Sequence, residues 1–115
     1  MNKNAATGRN HLIITYMNIH FQTIGMKAEP RIMDVISGKL ERLNRMYQRM
    51  QEVKVILKEE KSDTKRNKTL EIRIKVPEKE LFVIQQDHSF ENAMDKAVDA
   101  LKQQISRLKG KLQDH

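Results

Sequence analysis

The residues in this chain best suited to chemistry are cations. Arg31, Arg42, Arg45 and Arg49 recur at helical spacing. At about 100° per residue they fall within about 60° of one another on a helix surface. A guanidinium is a planar fork of N–H donors that meets a phosphate with two bonds at once, which a lysine cannot do. A second set follows, with Lys96, Arg107 and Lys111 on one flank of another helical stripe and Lys102 and Lys109 on the other. No acidic residue occurs between Leu101 and Leu112. Glu91, Asp95 and Asp99 precede that stretch, where carboxylates complement a helix dipole. Dipole compensation accounts for part of the second set but not for arginines spread along the whole first helix. The two sets together read as a surface for phosphate, with nucleic acid as the ligand.

Other chemistry has little support. His11, His20, His88 and His115 are scattered, and no two share one element at the spacing of a metal site. Asp95 and Asp99 lie one helical turn apart without a third ligand and read as a solvated face. The four glycines are isolated, so no phosphate-cradling loop is present, and the absence of cysteine excludes disulfides, thiolate ligands and a thiol nucleophile. No catalytic residue, metal, cofactor or small-molecule substrate is therefore expected. Phe21, Tyr47 and Phe90 stand at core spacings, which disfavours base stacking on exposed rings. Structured RNA or phosphate backbone fits better than base-by-base reading of a single strand.

The elements that must hold these cations are legible in the hydrophobic pattern. With 115 residues, 38% hydrophobic content and a formal charge of +7, the chain suits one basic domain, and its longest apolar run is far too short to span a bilayer. Residues 1–16 lack regular pattern and are expected to be a disordered extension, although HLIITY within them could lengthen the strand that follows. The domain proper is expected over 17–115. NIHFQTIG alternates as a half-buried strand ending at Gly25. Pro30 opens a helix to about Met50, with Ile32, Ile36, Leu40, Leu43, Tyr47 and Met50 on its inner stripe. VKVILKEE, TLEIRIKVP and ELFVIQQD predict three more strands, the first two joined by the polar loop EEKSDTKRNK. Ser89 caps a last helix carrying Phe90, Met94, Ala97, Val98, Leu101, Ile105, Leu108 and Leu112. The expected fold is α+β, a β-α-β-β-β-α two-layer sandwich in which a four-stranded mixed sheet carries both helices on one face.

Element order and local sequence also resemble a family. MNIHFQTIG, KLERLNRMYQRM, VKVILKEE, TLEIRIKVP and above all DHSFENAMDKAVDALKQQISRLKGKLQ are similar to the ribosome hibernation-promoting factors, also described as ribosome-associated inhibitors or sigma-factor modulation proteins. The resemblance covers about residues 17 to 112 and rests most on Phe90, Ala93 and Asp95, then Lys109 and Lys111. It implies a fold similar to double-stranded RNA-binding domains and a cytoplasmic, non-enzymatic factor. Such a factor lodges in the messenger and transfer RNA channel of the small ribosomal subunit and inhibits translation under stress or in stationary phase. By position it implies RNA contacts at Arg42, Arg45, Arg49, Lys96, Lys102, Arg107, Lys109 and Lys111. Where many members have a lysine before the leucine that is Leu101, this chain has Ala100. Because it stops soon after the last helix, it is expected to be a short member, without the further domain through which long members pair ribosomes. A general double-stranded RNA-binding or RNA-chaperone module is the alternative reading.

Overall fold

The computed structural model describes the backbone of residues 11–16, 18–61 and 67–113, and side chains within 18–61 and 67–110. The elements run β1 (His11–Tyr16), β2 (Ile19–Ile24), α1 (Pro30–Tyr47), β3 (Glu52–Glu59), β4 (Lys68–Lys75), β5 (Glu80–Asp87) and α2 (Phe90–Gln113). The expected mixed sheet is present as β2 to β5, with β2 parallel to β3 and the other pairs antiparallel. A fifth strand departs from the expected four. β1 pairs antiparallel with β2, from His11 opposite Ile24 to Tyr16 opposite Ile19, and the strand order follows the sequence. Residues 11–16 are therefore sheet and not lead-in, and residues 1–10 lie outside the described residues. The physical reason is twofold. Without β1 the outer edge of β2 would present unpaired backbone groups, and HLIITY is rich in residue types that favour strands.

Strand alternation divides the molecule. Ile19, Phe21, Val53, Val55, Leu57, Leu70, Ile72, Ile74, Leu81 and Val83 are buried under the helices. Ile32, Met33, Ile36, Leu40, Leu43 and Tyr47 of α1, with Met94, Ala97, Leu101, Ile105 and Leu108 of α2, fill the same core. The contiguous LFVI of β5, ambiguous in the sequence, resolves with Leu81 and Val83 inward and Phe82 and Ile84 outward on the open face. There the Arg73 guanidinium lies 4.8 Å from the centre of the Phe82 ring, and Phe82 and Arg73 are direct cross-strand partners.

The helices lie side by side and run in the same direction. Arg31 near the start of α1 meets Glu91 near the start of α2, Lys39 meets Asp95, and the Met46 carbonyl at the end of α1 accepts from Lys109. This follows from topology: α1 and α2 each leave the sheet from a strand of the parallel pair's direction and return toward the same end. α2 lies over β4 and β5. Its Gln104 amide donates to the Phe82 carbonyl at 2.9 Å and accepts the Phe82 N–H at 3.4 Å, on the edge of β5 where no further strand follows.

Gly25 ends β2 in the left-handed region, with φ 73°, and a Cβ there would sit 2.3 Å from the Glu59 carbonyl oxygen. Neither strain can be relieved by rotating a side chain. Gly38, in α1, would place a Cβ in open space. Gly25→Ala should lower stability by more than about 1 kcal/mol. Gly38→Ala should raise it by up to about 1 kcal/mol. Urea midpoints of the two variants that move in the same direction would contradict this assignment.

Candidate nucleic-acid interface

The outward side of α1 starts at Pro30, whose fixed φ suits a first helical turn. Four of its side chains are cations, in two different situations. Arg31 is paired with Glu91 at 3.1 Å and Lys39 with Asp95 at 3.2 Å. Arg42 and Arg45 are exposed and take part in none of the ion pairs among the described residues. The helix stops at Tyr47, short of the expected Met50, because Gln48 turns left-handed at φ 62° and the Asn44 side chain takes the Met50 N–H at 3.2 Å. Arg49 consequently leaves the helical row. It reaches the turn between β4 and β5, where Glu78 holds it at 2.7 Å. The other Glu78 oxygen accepts from the Tyr47 hydroxyl at 3.2 Å, and burial together with this carboxylate pushes the phenol above its ordinary pKa.

In α2 the Ser89 hydroxyl accepts the Asn92 N–H at 3.0 Å, the expected N-cap. One turn further, Lys96 does not point freely outward. Its ammonium donates to Asp87 at 2.6 Å, and the other oxygen of that carboxylate accepts the His88 N–H at 2.7 Å. Asp87 is only 4% exposed, and these donors, Lys96 foremost, hold its carboxyl down at about 2. Lys102 and Arg107 are exposed and, like Arg42 and Arg45, lie outside the ion pairs of the described residues. Lys109 donates to the Met46 carbonyl at 3.2 Å, satisfying one of the acceptors that a helix end leaves open.

The eight cations expected from the sequence thus divide. Arg42 and Lys102 come together across a groove between the helices, whose lining also includes Leu43, Met46 and Val98. Arg107 lies on the other flank of α2, beside Lys79 of the β4–β5 turn. Arg45, on α1, joins no ion pair among the described residues, while Arg49, Lys96 and Lys109 are exposed but each is engaged by an acceptor of the protein itself. The Lys111 side chain lies outside the described residues. Sequence reasoning missed Lys79, and it missed Glu78 and Asp87 as internal anions. All three sit in turns or at strand ends, where no period reports what they face.

The sheet's open face contrasts with the helical side. Its cations Lys54, Lys58, Arg73 and Lys75 are interleaved with Glu52, Glu71 and Glu80 through the strand register. Arg73 alone pairs with both Glu71 at 2.9 Å and Glu80 at 3.4 Å. Exposed cations without internal carboxylates between them are a better phosphate surface than a self-neutralised one. That condition is met along the second half of α2.

Comparison with known proteins agrees with this architecture. Residues 19–113 match the family described as sigma 54 modulation protein / S30EA ribosomal protein. The Protein Y N-terminal domain of Thermus thermophilus superposes with a TM-score of 0.64 at 24% identity, over 83% of this chain and 99% of that domain. A ribosomal subunit interface protein from Coxiella burnetii superposes with a TM-score of 0.71 at 18% identity, over 82% of this chain and 99% of that one. Both likenesses are of fold. No curated protein sequence matches the chain.

The Asp87 pair yields a test of pH dependence. A carboxyl whose folded pKa is about 2, below its ordinary 3.8, stabilises the fold fully above pH 3.8 and loses that contribution as pH falls toward 2. Asp87→Asn should therefore show a shallower fall in melting temperature across that acid range than the parent. At neutral pH, Lys96→Gln should lower the melting temperature by leaving the carboxylate unpaired, whereas Lys102→Gln should not. Equal losses for the two lysine variants would refute the distinction between them.

Proposed function

Because the chain belongs to the family described as sigma 54 modulation protein / S30EA ribosomal protein, we propose that it is a ribosome hibernation factor. It binds the small ribosomal subunit in the channel of messenger and transfer RNA and inhibits translation under stress or in stationary phase. The observation that carries this reading is the set of exposed cations on the helical side, Arg42, Arg45, Lys102 and Arg107, that join no ion pair among the described residues. Arg49, Lys96, Lys109 and Lys111 complete the proposed RNA-binding set. The first two of these must trade an internal carboxylate for a phosphate before they contribute.

Inhibition on this reading requires no bond to be made or broken. A folded body held to ribosomal RNA phosphates occupies the volume that the substrates of translation need, and counterion release from the RNA supplies much of the affinity. Two structural properties serve that role. The cations project from helices packed on a sheet, so only their side chains, and not the backbone, must be ordered when they meet fixed phosphates. The outer stripe of α1 is independent of its buried stripe, so its charge can change without loss of the core. The protein acts in the cytoplasm, where ribosomes are, and needs no cofactor.

Changing Arg42 and Arg45 together to Glu should leave the fold intact and abolish co-sedimentation with small subunits at low salt. For the parent, four free cations predict that log K falls against log salt with a slope of about −3 to −4. A near-zero slope, or unchanged sedimentation of the double variant, would rule out this surface as the RNA contact. Equal affinity for isolated duplex RNA and for small subunits would favour the general RNA-binding module instead.

A further inference from the structure

The groove between α1 and α2 differs from the rest of the helical side in holding two kinds of surface at once. Its volume is about 460 Å³, within the range of sites that take one small group. The Lys39–Asp95 pair at 3.2 Å closes one end, and the hydrogen bond from Lys109 to the Met46 carbonyl at 3.2 Å bridges the helices at the other. Between these links the floor is apolar. Leu43 is buried, Val98 is half-buried, and Met46 leaves 55% of its surface exposed, a large apolar side chain displayed where core packing gives no reason for it. Arg42 stands on one wall and Lys102 on the other. Neither joins an ion pair among the described residues, although Asp99 lines the same groove.

We infer that this groove is a receptor for a single unpaired nucleotide, its base resting on Met46 and Val98 and its phosphate held between Arg42 and Lys102. Resting on the RNA-binding reading above, the inference adds which part of an RNA the surface selects. A methionine thioether makes favourable contacts with aromatic rings, and a nucleobase is such a ring. Opposed cations across a gap suit one phosphate better than either would alone. The Asp99 carboxylate disfavours phosphate at its own position and accepts from the exocyclic amine of a base, which sets the nucleotide's direction in the groove. A base paired within a helix cannot enter. An unstacked base can, and single-stranded loops and bulges are where RNA offers one. The surface therefore prefers RNA that carries a bulge to a continuous duplex of the same charge.

The test uses two hairpin RNAs with the same stem, one fully paired and one with a single 2-aminopurine bulge, and AMP as a free nucleotide. The full chain should bind the bulged hairpin several-fold more tightly, by up to about tenfold, the size of one methionine contact to a ring. Its 2-aminopurine fluorescence should change on binding. Met46→Ser, an uncharged change at an exposed position, should erase that preference while retaining binding to the paired stem, and Met46→Leu should preserve it. A preference that survives Met46→Ser overturns the inference, and so does equal affinity for the two hairpins unless AMP alone shifts the amide resonances of Arg42, Val98 and Lys102. In that case the nucleotide site stands and its source is free nucleotide. Failure of both hairpins to bind would instead count against the RNA-binding surface as a whole.

Discussion

One-sided burial is the constraint on which this molecule is built. The strands offer a single continuous apolar face, and α1 and α2 must share it. Each helix descends from a strand that runs in the same direction, so the two must lie parallel and end together. Parallel neighbours align their dipoles unfavourably. The contacts between them show how the chain meets this cost: an ion pair at the starting ends, Arg31 with Glu91, a second from the middle of α1, Lys39 with Asp95, and an ammonium on a carbonyl at the finishing end. The finishing end collects negative partial charge from both helices. Arg45 stands in the last turn of α1 and Lys109 reaches across to the Met46 carbonyl, so both complement that charge.

Counting cations overstates such a surface. Arg49, Lys96 and Lys109 are as basic in the sequence as Arg42 and Lys102, yet the fold gives each an internal acceptor. The exposed pair of Arg49 and Glu78 contributes at most about 1 kcal/mol, so a phosphate can displace the carboxylate at little cost. Lys96 is different in kind, because releasing it leaves Asp87 buried without its principal donor. Within one basic face there are thus cations ready to bind, cations available by exchange, and one that holds the protein together.

Much of the fold was readable from the sequence, because period reports burial. α2 runs over Phe90–Gln113 behind its Ser89 cap, β5 spans Glu80–Asp87, and the inward residues of β4 are Leu70, Ile72 and Ile74. β1 was less legible, since its six residues become a strand only when β2 offers an edge to pair with. The orientation of LFVI depended likewise on register against β4. For the site, helical spacing located the arginine row of α1 but gave no account of Glu78 or Asp87. Those residues act across distances in sequence that no local pattern spans.

The Gln104 side chain does more than occupy the backbone of Phe82. A helix lying on a smooth apolar sheet can roll, and each residue of slippage turns its surface by about 100°. Two hydrogen bonds from one amide to one strand residue fix both the roll angle and the axial position of α2, as a dowel indexes one machined part on another. With that setting Lys102 faces the groove beside Arg42 and Arg107 faces Lys79. The bearing of these exposed charges is thus set by an uncharged residue, on the flank of α2 that Arg107 shares and opposite the one that carries Lys102.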